Sequence, residues 1–97
     1  MDPGTSALNI SDVVESLAGH DKGKLFYVID IDDTGVYLAN GKDRTLDKPK
    51  LKKQKHVKKV LRAETRVAAR MRAGDKVLNS ELRRDLAEIS QDMQSKT

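Results

Sequence analysis

Between Ser11 and Gly41 the apolar positions fall into three short runs, each ended by residues that turn a chain. Val13, Val14 and Leu17 mark a first strand, Leu25 to Ile31 a second, and Val36 to Ala39 a third. The breaks fall at Gly19 to Gly23, at Asp32-Asp33-Thr34-Gly35 and at Asn40-Gly41, whose residues tolerate the left-handed conformations of tight reversals. A small antiparallel barrel is the expectation. The second run is apolar on both of its alternating faces over Leu25 to Ile29. One face would fill the barrel, and the other needs a cover, which the C-terminal helices can supply within the chain. A partner-binding surface is the alternative.

Beyond Gly41 the pattern predicts a short strand around Arg44-Thr45-Leu46, a turn at Lys48-Pro49 and a last strand near His56-Val57. Lys50 to Lys55 is too charged to be buried. From Val60 to Ala73 the spacing becomes helical, with Val60, Ala63, Val67 and Met71 on one face and Gly74 as the stop. A second helix is expected from Asn79 or Ser80, either of which can cap it, to about Met93. Its stripe is Leu78, Leu82, Leu86, Ile89 and Met93, with Arg83, Arg84, Glu88 and Asp92 outward and Gln94 to Thr97 frayed. The plan is thus a disordered extension or cloning remnant over 1–9, a barrel over 10–60 and a helical appendage over 61–94.

A chain of 97 residues holds one domain with a limited core. Charged residues reach 35% against 37% hydrophobic, and Phe26, Tyr27 and Tyr37 are the only aromatics, which suits a soluble domain with a large charged surface. No apolar run approaches the ~20 residues of a membrane span, and no signal-peptide pattern opens the chain. With no cysteine, disulfides and thiolate metal sites are excluded. A cytoplasmic protein with no membrane partner is expected.

Charge changes the picture most. Residues 1–40 carry a net −5, residues 41–62 a net +8 and residues 63–97 a net +1, which together give the overall +4. The middle segment holds Lys42, Arg44, Lys48, Lys50, Lys52, Lys53, Lys55, Lys58, Lys59 and Arg62. Such a block repels itself unless an anion lies against it, and a nucleic-acid backbone is such an anion. The alternative is a solvated loop kept basic for solubility. Arg62, Arg66 and Arg70, four apart, would form a column along the first helix, open either to phosphate contact or to neutralisation by Glu64 and other acids.

Gly19-His20-Asp21-Lys22-Gly23-Lys24, set between two apolar strands, resembles the KOW motif, the strand-loop-strand element of SH3-like barrels in ribosomal and transcription-associated proteins. The resemblance continues through Asp33-Thr34-Gly35 and the basic segment from Lys42 to Lys59, and is closest to large-subunit ribosomal KOW proteins and small bacterial KOW relatives. It implies a mainly β fold with C-terminal α: a small KOW-type SH3-like barrel followed by two short helices. It implies a last strand paired with the first, and a loop that touches RNA through Lys22 and Lys24. Gly19, Gly23, Gly35 and Gly41 would be structural. RNA is favoured over DNA by the resemblance. In agreement, no helix offers a row of base-reading side chains to a major groove, and the aromatics sit in strand contexts rather than on a stacking platform.

Enzyme signatures are weak. Gly19 to Lys24 differs from a P-loop in having three residues between its glycines, and Leu25 stands where Ser or Thr would hold Mg²⁺. His20 and His56 are the only histidines, and Asp32-Asp33 reads as a turn rather than an acid–base pair. The expectation is a non-catalytic protein without cofactor, metal or small-molecule substrate that binds structured RNA, above all ribosomal RNA. The runner-up is a protein-interaction module of the translation or transcription machinery, docking ribosomal or transcription proteins on the apolar strand face or the last helix. A chaperone binding many RNAs weakly is a third reading.

Overall fold

The computed structural model describes residues 7–95. In chain order it has β1 (Asp12–Ser16), β2 (Leu25–Asp32), β3 (Gly35–Ala39), β4 (Lys50–Lys52), a 3-10 turn (Gln54–His56), β5 (Val57–Arg62), α1 (Arg66–Arg72) and α2 (Asn79–Ser95). The strands form one antiparallel sheet in the order β4-β3-β2-β1-β5. The last strand therefore pairs with the first, Ser16 opposite Val57 and Asp12 opposite Arg62.

The connection between the two edge strands forces this sheet to curl. Laid flat, β4 and β5 would lie roughly 19 Å apart, four strand spacings of about 4.8 Å. The five steps from Lys52 to Val57 reach at most about 18 Å when fully stretched, and a 3-10 turn, rising only about 2 Å per residue, brings them shorter still. Bulges add twist: the register shifts between Val28 and Asp30 on β2, and between Val13 and Val14 opposite β5. The sheet stays open, with no ladder joining β4 to β5.

Alternation along β1 and β2 sends side chains to two apolar clusters. Val14, Phe26, Val28, Val36, Leu38 and Val57 fill the inside of the curl. Val13, Tyr27 and Ala39 face the other way and are buried with Ala63, Val67, Ala68, Leu82 and Leu86. The helices therefore cover the second face of β2, as the chain-internal reading expected. Tyr27 fastens this layer: its hydroxyl donates to Asp85 Oδ2 at 2.8 Å and lies 3.2 Å from Thr65 Oγ1. Burial, above all, pushes the Tyr27 phenol far above its ordinary range.

Several local expectations are corrected. Val60 to Arg62 belong to β5 and not to the first helix, because pairing with β1 overrides an apolar spacing that also fits a helix. The helix starts after Thr65, whose side chain accepts from the Ala68 N–H. It ends as expected: Gly74 N–H donates to Met71 O and Asp75 N–H to Arg70 O around a left-handed Gly74. No strand forms at Arg44-Thr45-Leu46, where Thr45 and Lys48 make one isolated bridge around a turn. The charged Lys50–Lys52 is the strand instead, since an edge strand keeps lysines partly in solvent. Leu17 lies outside β1 and is 43% exposed. His56 sits in the 3-10 turn.

At α2, neither Asn79 nor Ser80 caps the helix as expected. The Leu78 N–H donates to Glu81 Oε1 at 2.9 Å, while Asn79 Oδ1 accepts from Leu46 N–H at 2.8 Å. The stripe buries Leu82 and Leu86 and packs Ile89, but its two ends, Leu78 and Met93, stay exposed. Of the stretch expected to be disordered, residues 1–6 lie outside the described residues. Leu8 packs against the inner cluster and Asn9 N–H donates to Asp12 Oδ2 at 2.8 Å, so order begins before Ile10. Of the stretch expected to fray, Gln94 and Ser95 continue α2, and residues 96–97 lie outside the described residues.

Candidate functional site

The loop between β1 and β2, Leu17 to Lys24, is where distant parts of the basic run meet. Lys52 Nζ donates to the Ala18 carbonyl at 2.8 Å. Arg44 pairs with the buried Asp21 at 3.5 Å, and Lys24 with Asp43 at 2.8 Å. The Leu17 N–H donates to the His56 carbonyl at 2.9 Å, which ties the 3-10 turn to the same loop. The loop's own reversal is held by Gly23 N–H to Ser16 O and Lys24 N–H to Asp21 O. Gly19 and Gly23 both take positive φ there.

This gathering leaves Lys22, Lys42, Lys53 and Lys55 exposed, and none of the four enters an ion pair among the described residues. Each is next in sequence to a tied residue: Lys22 to Asp21, Lys42 to Asp43, Lys53 to Lys52 and Lys55 to His56. Lys24 is held above its ordinary lysine value, chiefly by its hydrogen bond to Asp43, and Asp43 is lowered reciprocally. Both remain charged at neutral pH.

The other nominated cations go elsewhere. Lys59 reaches the buried Asp12 at 3.4 Å. Arg62 pairs with Glu64, and it sits on β5 rather than on a helix. The expected column of Arg62, Arg66 and Arg70 is therefore broken. Arg66 is exposed on α1, whereas Arg70 is bound to Glu81, whose carboxyl it holds below the usual range. Lys48, in the Thr45–Lys48 turn, and Lys58, opposite Glu15 in the β1–β5 register, are also exposed and outside any ion pair among the described residues, while the half-buried Lys50 lies opposite Leu38 on β4.

Asp32 has a different role. Its Oδ1 accepts from the Thr34 N–H at 2.8 Å and the Gly35 N–H at 3.2 Å, and its Oδ2 from the Tyr37 hydroxyl at 2.7 Å. Led by the Thr34 hydroxyl, these donors lower its carboxyl to about 2. An acid so engaged organises the turn. At Gly35, a Cβ would come 2.2 Å from the Lys52 carbonyl oxygen, so only glycine lets β4 close on β3. Among the described residues no three His, Asp or Glu side chains come together as a metal ion would need, and no helix is long and apolar enough to cross a membrane.

Sequence reasoning missed Arg83. It lies on α2, far in sequence from the basic run, and its Nη1 donates to the Gly41 carbonyl at 2.5 Å. Nothing in its own helix signals this contact, because the apolar spacing of α2 places Arg83 simply outward. Compared with protein-family models and with curated proteins, the sequence matches none.

Proposed function

We propose that the chain binds structured RNA without catalysis, ribosomal RNA being the foremost target, and that its curled sheet is a KOW-type SH3-like barrel working in the cytoplasm. What carries the reading is the gathering at the β1–β2 loop. Three separated pieces of the basic run are tied to one loop, and Lys22 on that loop, with Lys42, Lys53 and Lys55 next in sequence to the tied residues, is exposed and outside any ion pair among the described residues. Phosphates can neutralise them, and counterion release then drives binding. Aromatics are scarce, and Phe26 and Tyr27 are fully buried, which favours recognition of folded RNA by phosphate and shape over base stacking. The resemblance of Gly19 to Lys24 to a KOW loop points the same way.

Titration with purified ribosomal RNA and with unstructured polyuridylate, across a salt series, tests this. Four lysines each meeting one phosphate give a slope of log K against log salt of about −3 to −4. The folded RNA should bind more tightly at every salt concentration. Equal affinity for the two would replace this reading with weak, charge-only chaperoning.

A protein partner is the second reading, favoured by Leu78 and Met93, which are 54% and 41% exposed at the ends of the α2 stripe. The apolar face of β2 is not available for that role, because α1 and α2 cover it. Nuclease treatment separates the two: a protein-mediated complex survives it.

A further inference from the structure

A cleft of about 470 Å³ opens between the tip of the β1–β2 loop, the β3–β4 loop and α2. Its walls are fixed. Lys24 to Asp43 joins the two loops. Arg83 to the Gly41 carbonyl and Leu46 N–H to Asn79 Oδ1 fasten the β3–β4 loop to α2. At Gly41, φ is +76° and a Cβ would stand 2.1 Å from the Asn79 carbonyl oxygen, so the loop backbone is pressed directly onto the helix.

The lining has two parts. Lys24, Lys42 and Arg83 are cations on the rim, with Asp43 the single acid, already matched by Lys24. Leu25, Leu86 and Ala87 make an aliphatic floor, with Ser90 beside it. A phosphate backbone alone needs no such floor, and an apolar peptide needs no such rim. A nucleotide presents both surfaces, an anion at one end and a flat apolar face at the other.

Resting on the RNA reading above, we infer that this cleft receives one unpaired nucleotide of the bound RNA, its phosphate on Lys42 and Arg83 and its base against Leu25, Leu86 and Ala87. A paired base cannot enter, because its faces are covered by its stacked neighbours. The site thus selects RNA with a bulge or loop, and it gives α2 a role in recognition beyond covering the sheet. The volume is within the range of small-ligand sites, about 300–1,000 Å³.

The test compares a short RNA hairpin carrying one bulged uridine with the same hairpin lacking it. The wild-type protein should prefer the bulged hairpin by about tenfold, the order expected from burying part of one base's apolar face on aliphatic side chains. Ala87→Leu fills the floor at an exposed helix position without altering charge. It should bring the preference to within about twofold while leaving affinity for the paired hairpin unchanged. Ser90→Leu, on the same wall, should act alike and guards against a folding defect in one variant. No preference in the wild type, or a preference that survives both substitutions, overturns the inference while leaving the RNA reading standing. Failure of the wild type to bind either hairpin removes the RNA reading and this inference with it.

Discussion

Two reversals flank β2, and they are built in opposite ways. The β2–β3 turn is self-contained: Asp32 gathers the Thr34 and Gly35 N–H groups and the Tyr37 hydroxyl, all within five residues. The β1–β2 loop is held from afar, by Lys52 at a separation of 34 residues, Arg44 at 23 and Asp43 at 19. In the first, the Asp32 carboxylate is absorbed by local hydrogen bonds. In the second, Asp21 and Asp43 each take up one cation, Arg44 and Lys24, while Lys22, Lys42, Lys53 and Lys55 stay exposed and outside any ion pair among the described residues. The difference separates a turn that only folds from a loop that presents a surface.

Charge reversal should break the comparison most strongly. Lys22→Glu, Lys53→Glu and Lys55→Glu combined should weaken binding to structured RNA by about a hundredfold near physiological salt, read by filter binding, with thermal stability little changed. Lys52 is left intact in that variant because it supports Ala18. The β3–β4 loop, which supplies Asp43 and Arg44 to that surface, depends on a backbone contact too, and Gly41→Val meets both a left-handed φ and the Asn79 carbonyl. It should lose about 2 kcal/mol or more of stability in urea unfolding, of which the left-handed φ alone accounts for about 1–2 kcal/mol.

Asp32→Asn should lower the thermal midpoint without touching RNA affinity, which sharpens the contrast from the other side. Because the folded Asp32 carboxyl sits near 2, below its ordinary 3.8, its contribution is present above about 3.8 and is lost as pH falls through about 2. The midpoint difference between wild type and variant should therefore be constant near neutrality and vanish toward pH 2. Asp43→Asn should do least. The Lys24 pair is exposed, and exposed pairs contribute little, so urea unfolding should be nearly unchanged.

What could be read from the sequence follows the same division. Strands β1 to β3, their turns, the Gly74 stop and the two-faced β2 are written in neighbouring residues, where alternation and turn chemistry act directly. Lys50–Lys52 was hidden because its charge argues for loop, while its place as a strand depends on β3. Val60 was hidden because its spacing from Ala63 and Val67 suits a helix, and only β1 makes it a strand. The ion pairs of Asp12, Asp21 and Asp43 join segments whose proximity the fold creates. Of the candidate site, the basic run was visible, but which of its members remain free was not. Arg83 was invisible for the same reason: nothing near it in sequence links it to Gly41.

Backbone amide shifts of the ¹⁵N-labelled protein, followed as ribosomal RNA fragments with defined hairpins are added, test the central claim most directly. Changes should concentrate at Leu17 to Lys24, Lys42 to Arg44 and Lys53 to His56, and Asp32 to Gly35 should stay silent. Changes centred on the β2–β3 turn or on α1, or a spectrum that RNA leaves unmoved, would contradict it.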